Sequence, residues 1–296
     1  MYNSKFYVAG FNKNLLEINN ENYEYFKNNF QEILDQMSIT GLYFNYLNNL
    51  DLSFLSECSI LTELVVARCE RVTYPNFSRL TNLKFLQLGD TKRKKIIDLS
   101  GLYHLETLSA QYCQGIIGIQ NTNVQKLILF GLKNTGDITL PKSVIDIKIV
   151  RLDSDNLNFL ENLENLENLE NLENLENLEN LSLNYLKNLN NINSLIELEK
   201  MRNLEFFGLK TLQDMNSFSN LYQLTGLRFD TCSLSSIKNF HNMNDLRSLV
   251  LYNTNILDGN LNSILALRQL EFLTLTNKKN FNLNEKYIKD ILNIKS

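Results

Sequence analysis

The sequence predicts an α/β solenoid, a stack of about eleven coils that each contribute one short strand to a parallel array. Three observations carry this. The pattern L-x-x-L-x-L returns about every 22 residues, as at Leu61, Leu64 and Val66, Leu83, Leu86 and Leu88, and Leu246, Leu249 and Leu251. Between these strands leucine continues at every third position, as in Leu99, Leu102, Leu105 and Leu108. At both ends this rhythm gives way to apolar stripes at helical spacing.

Residues 1–38 read as a terminal cap, because a solenoid otherwise exposes the apolar faces of its end coils. A strand is expected over residues 5–9, followed by a helix that presents Tyr23, Phe26, Phe30, Ile33, Leu34 and Met37 on one face. Residues 39–277 hold the repeats. Their central strand residues are Leu42, Leu64, Leu86, Leu108, Leu127, Ile147, Leu181, Phe207, Leu227, Leu249 and Leu273, separated by 22, 22, 22, 19, 20, 34, 26, 20, 22 and 24 residues. Side chains on a strand alternate between faces, so each strand buries two apolar residues and turns those between them outward.

Period three in the arms suits 3₁₀ geometry, in which residues i and i+3 eclipse, better than the drifting 3.6 period of an α-helix. The extreme case is LENLENLENLENLENLENLENL over residues 160–181. A leucine stripe at that period would circle an α-helix instead of making a heptad seam, which argues against a coiled coil. The 34-residue step exceeds 22 by 12, or four triplets, so the tract reads as an expanded arm with Glu outward. Residues 278–296 carry a last helical stripe, Leu283, Tyr287, Ile288, Ile291 and Leu292, with Asn282 or Asn284 available as N-cap.

These repeats resemble the leucine-rich repeat superfamily, in particular its 22-residue class with the pattern LxxLxxLxxLxLxxNxIxxI found in internalin-like and phosphatase-regulator proteins. The resemblance spans about residues 39–277 and implies a horseshoe with its strands on the concave side and thin 3₁₀ or irregular arms on the convex side. Where the family has Asn after the strand, this chain has Cys69, Thr91, Cys113, Cys232 and Thr254, or Leu132, Leu152, Leu186 and Leu212 in the middle coils. The coil with Leu140, Pro141, Val144, Ile147 and Ile149 resembles the shorter LP-type bacterial repeat.

Three of the four cysteines share one repeat position, and no C-x-x-C spacing occurs. They therefore read as small inward side chains that satisfy backbone groups, with Cys58 as a further buried residue. The two histidines, His104 and His241, lie in separate arms, and no phosphate loop, dinucleotide fingerprint or nucleophile elbow is present. The expectation is a chain without catalysis, cofactor or metal. A net charge of −4, no signal-like start and no long apolar run make a cytoplasmic, membrane-free protein the default and do not favour nucleic acid.

The repeat register assigns an outward, concave series unusually rich in aromatics and cations: Tyr43, Tyr46, Arg68, Phe85, Tyr112, Lys126, Phe130, Lys148, Arg151, Tyr185, Phe206, Lys210, Arg228, Tyr252 and Phe272. Large aromatics and arginines concentrate binding energy at protein interfaces. The expected function is a protein-binding scaffold of the regulator or toxin-neutralising type, whose partner carries an acidic patch. The alternative is a polyanion or RNA binder that uses Lys92, Arg93, Lys94 and Lys95 with the central cations of the face.

Overall fold

The computed structural model describes residues 7–9, 15–90, 96–111, 115–131, 139–151, 157, 175, 177–186, 188–189, 192, 195, 198, 200–209 and 215–294. Most of the LEN tract, the 92–95 basic run, Tyr112, Cys113 and Lys210 lie outside them. The strands are β1 Tyr7–Ala9, β2 Leu15–Ile18, β3 Gly41–Asn45, β4 Glu63–Ala67, β5 Phe85–Asp90, β6 Ile97–Asp98, β7 Thr107–Gln111, β8 Ile116–Ile117 and β9 Lys126–Phe130. They continue as β10 Asp146–Val150, β11 Asn180–Asn184, β12 Asn203–Phe207, β13 Gly226–Asp230, β14 Ser233–Leu234, β15 Ser248–Tyr252, β16 Asn255–Ile256 and β17 Phe272–Leu275. Helix α1 spans Tyr23–Met37 and α2 spans Glu285–Leu292.

The chain forms two compact units, Met1–Leu132 with Gly136–Val144, and Lys133–Thr135 with Ile145–Ser296. In the first, the strand order is β1-β2-β3-β4-β5-β7-β9, antiparallel between β1 and β2 and parallel from there on. In the second it is β10-β11-β12-β13-β15-β17, parallel throughout. Five repeat strands in one unit and six in the other give the eleven expected from the leucine spacing.

One register is corrected. Leu204, not Phe207, pairs with Leu181 on one side and Leu227 on the other, and Phe206 pairs with Leu183 and Phe229. The true steps are 23 and 23 in place of 26 and 20, and the inward slot after β12 is Leu209, not Leu212. Phe206 is therefore core, fully buried and stacked on Phe229 at 5.0 Å with rings 9° apart, beside Phe218 at 6.1 Å. Phe240 extends the cluster at 5.6 Å from Phe218. Phe207 is the half-exposed residue.

The triplet period has a direct backbone cause. In successive turns Leu55 N–H donates to Leu52 O at 3.0 Å, Cys58 N–H to Leu55 O at 2.9 Å, and Leu61 N–H to Cys58 O at 3.2 Å. Each of these buried arm residues thus closes an i→i+3 turn, and among the described residues six arms contain 3₁₀ segments: Ser53–Glu57, Phe77–Arg79, Ile119–Asn121, Asn216–Asn220, Lys238–Asn242 and Asn262–Ala266. At the end of the LEN tract Leu175, Leu178 and Leu181 are buried, and Leu178 N–H donates to Leu175 O at 3.0 Å in the same way.

The slot after the strand closes each coil inward. The Cys69 thiol donates to Phe44 O and Ala67 O at 3.5 and 3.3 Å, and the Cys232 thiol to Phe206 O and Asp230 O at the same distances. Thr254 Oγ1 donates to Tyr252 O at 3.1 Å and accepts from Cys232 N–H at 3.4 Å. Thiols are weak donors, yet each buried group has a partner. Leu186 and Leu209 fill the same slot with apolar volume alone.

α1 buries Tyr23, Phe26, Ile33 and Leu34, with Phe26 edge-on to Phe44 and Phe54 at 6.1 and 6.2 Å. The Tyr23 hydroxyl donates to Asp51 O at 2.6 Å, and Lys27 pairs with the Asp51 carboxylate at 2.9 Å. β2, which no periodicity marked, adds a strand ahead of the first repeat. At the other end Asn284 caps α2 by accepting from Tyr287 N–H at 2.9 Å. Asn282 instead binds Leu261 N–H at 2.9 Å. Ile288 is buried, while Tyr287 and Ile291 are exposed, so the apolar stripe is narrower than its spacing suggested.

Two outcomes follow from this packing. Phe206→Ala is expected to lower stability by about 3–5 kcal/mol, the usual effect of emptying a phenylalanine site, with Phe207→Ala within about 1 kcal/mol of the parent in denaturant titration. Burial pushes the Cys69 and Cys232 thiols up and Cys58 to about 11. A thiolate-selective reagent at neutral pH should leave all three unmodified in the folded chain, read by peptide mass, and modify them once denaturant is added.

Candidate protein-binding face

Each repeat strand places its first, third and fifth residues on the side away from the core. Immediately after the strand the chain turns through a left-handed residue: Tyr46 (φ 56°) and Arg68 (φ 53°) in the first unit, and Arg151 (φ 61°), Tyr185 (φ 57°), Gly208 (φ 68°), Thr231 (φ 57°) and Asn253 (φ 49°) in the second. The turn lets the amide of that residue reach the neighbouring strand. Tyr185 N–H donates to Phe207 O at 2.7 Å, Gly208 N–H to Asp230 O at 2.8 Å, and Thr231 N–H to Tyr252 O at 2.9 Å.

For a residue with a Cβ this conformation costs on the order of 1–2 kcal/mol, and glycine meets it without strain. At 208 glycine is needed twice over, since a Cβ there would lie 2.7 Å from Tyr185 Cδ1. The Tyr185 ring thus rests on the next coil and still leaves 58% of the residue exposed. At the equivalent position of other coils in this unit, Arg151, Tyr185 and Thr231 stand where glycine would fold more easily.

In the first unit, Tyr46 is exposed, and the Arg68 guanidinium lies 4.8 Å from its ring centroid and hydrogen-bonds its hydroxyl. Tyr43, Phe85 and Phe130 are half-buried on the same face, and burial pushes the Tyr43 phenol up. Lys126 is exposed.

In the second unit, Lys148, Arg151, Tyr185, Tyr252 and Phe272 are exposed. Arg228 is not a free cation. Its Nη2 binds Asp230 Oδ2 at 2.8 Å and its guanidinium stacks 5.0 Å from the Phe207 ring. Glu205 sits beside it in register, so the cationic surface among the described residues of this unit's face narrows to Lys148 and Arg151. Phe206 drops out of the face and Phe207 takes its place, while Tyr112 and Lys210 fall outside the described residues.

Sequence reading missed Ser182, Asn184 and Glu205, which share the face. Their outward strand positions were a signal for them, but their small or polar side chains did not stand out against the aromatic series.

Among the described residues no group of three or more His, Cys, Asp or Glu side chains could hold a metal, and no helix is long and apolar enough to cross a membrane. Neither a family model nor a curated protein sequence matches the chain. Among solved structures, an internalin from Listeria monocytogenes superposes with a TM-score of 0.54 at 19% identity, covering 90% of this chain and 83% of its own. A leucine-rich repeat protein from Leptospira interrogans superposes with a TM-score of 0.59 at 18% identity, covering 88% of this chain and 72% of its own. With repeat strands, 3₁₀ arms and inward slots in place, the fold is the leucine-rich repeat fold, of the internalin-like kind.

Proposed function

We propose that this chain is a non-catalytic scaffold whose strand face holds another protein, acting as a regulator or as a binder that neutralises a toxin. The observation that carries this reading is the exposed bulky residues held in left-handed geometry on each unit's strand face, Tyr46 and Arg68 in the first and Arg151 and Tyr185 in the second. Strain kept at exposed aromatic and basic positions is the mark of a surface selected for contact, since Gly or Asn would stabilise the turn better. Such side chains bury large area with little loss of freedom on association. Lys148 and Arg151 give the second unit's face a positive corner, which fits an acidic patch on the partner. A cytoplasmic site of action is consistent with the free thiols Cys58, Cys69 and Cys232.

The test is a photo-crosslinking phenylalanine analogue placed at position 185 on the strand face or at position 222 on an arm, where Tyr222 is 64% exposed. Irradiation in a proteome extract should give a discrete adduct from 185 and none from 222. Adducts from 222 alone, or equally from both, would place the partner elsewhere.

A further inference from the structure

The outward side of β10 and β11 brings together polar atoms and cations that have no hydrogen-bond or ion-pair partner among the described residues. Ser182 Oγ and Asn184 Oδ1, both on β11, are shielded from solvent yet have no hydrogen-bond partner among the described residues. Asn184 as a whole is only 6% exposed. Arg228 Nε, two strands on, shares this condition, although Nη2 of the same guanidinium is bound to Asp230. A shielded polar atom left unpaired costs about 1–3 kcal/mol, and native structures keep few of them.

Ser182 and Asn184 are two residues apart on one strand and point the same way, so their side chains repeat at about 6.6–6.8 Å. That is also the i, i+2 repeat of any extended peptide. On the adjacent strand, about 4.8 Å away, Lys148 stands in register with Ser182, and Arg151 follows Val150, the register partner of Asn184. Neither cation has an ion-pair partner among the described residues. The Tyr185 ring, lying on Gly208, is the next side chain after Asn184.

We propose that this corner of the second unit is a seat for an extended acidic peptide segment of the partner, with the Ser182 and Asn184 side chains turning outward to accept from peptide amides and carboxylates pairing with Lys148 and Arg151. This rests on the scaffold reading above and names the chemistry of what the scaffold holds. Charge complementarity selects the occupant. The unmet atoms require hydrogen-bonding groups at strand spacing, which an apolar helix face does not offer, and Glu205 beside Ser182 disfavours a continuous polyanion.

The probe is a fluorescent synthetic peptide of alternating Glu and Thr, compared with its Gln-for-Glu counterpart by anisotropy at moderate salt. The Glu peptide should bind the full chain at least about tenfold more tightly, and Lys148→Ala with Arg151→Ala should erase the difference. Ser182→Ala with Asn184→Ala should weaken the Glu peptide about five- to tenfold while leaving Tm unchanged or higher, because it deletes unmet groups. A purely structural role for the pair would instead lower Tm together with affinity. Equal binding of the two peptides, full affinity in the Ser182/Asn184 variant, or tighter binding of a single-stranded oligonucleotide than of the Glu peptide would each overturn the proposal. If the acidic peptide fails while position 185 still crosslinks a protein, the scaffold reading stands and this seat is wrong.

Discussion

Coil stacking is the constraint from which the rest follows. An isolated coil cannot satisfy its own backbone, because its strand has no partner and its arm offers only i→i+3 bonds. Amides therefore pair from one coil to the next, as when Thr225 and Gly226 N–H donate to Arg202 O at 2.8 and 3.0 Å and Arg247 and Ser248 N–H repeat the pattern on Thr225 O at 2.9 and 3.0 Å. This repetition demands that every coil place equivalent atoms at equivalent heights. The left-handed turn after the strand, the inward slot and the apolar triplets are three solutions to that single demand.

The demand also explains what was legible in the sequence. Leu64, Leu86 and Leu108 had to recur at 22 residues because their strands are in register, and the C-terminal N-cap Asn284 announced itself by residue type. The β12 register did not. In MRNLEFFGLKTL both Leu204 and Phe207 can be the central residue of an apolar L-x-x-L-x-L-like pattern, as Met201, Leu204 and Phe206 or as Leu204, Phe207 and Leu209, since a triplet rhythm looks similar when slid by three. Only even spacing to both neighbours separates them, and choosing Phe207 moved Phe206 from the core to the surface. β2 was illegible for another reason: its sequence, LLEI, is one strand without an arm, so no period contains it.

The face was legible by address and not by energy. Register could say that Arg228 points outward, but not that Asp230, two residues on, neutralises it or that Phe207 on the next strand covers its guanidinium. Nor could spacing reveal which small polar residues lack partners, because a serine in an outward row is ordinarily solvated. These are properties of neighbours across strands, and they appear only once coils are laid side by side.

The distribution of cost across the molecule separates scaffold from surface. Polar groups within the coils are met: Cys69, Cys232 and Thr254 all find carbonyls, and Thr122 Oγ1 donates to Ile119 O at 2.6 Å. The shielded side-chain atoms left without partners among the described residues, on Asn45, Ser182, Asn184 and Arg228, all fall at outward strand positions. The strained non-glycine turns stand beside them. In each unit the described interior is satisfied, and the unmet hydrogen-bonding atoms, with six of the ten left-handed non-glycine residues, lie along the strand side. These unfavourable terms are small next to the burial of the leucine columns, at about 1.5–3 kcal/mol per side chain. The core can therefore carry the face without losing the fold, and the face can diverge to suit a partner while the repeats stay fixed.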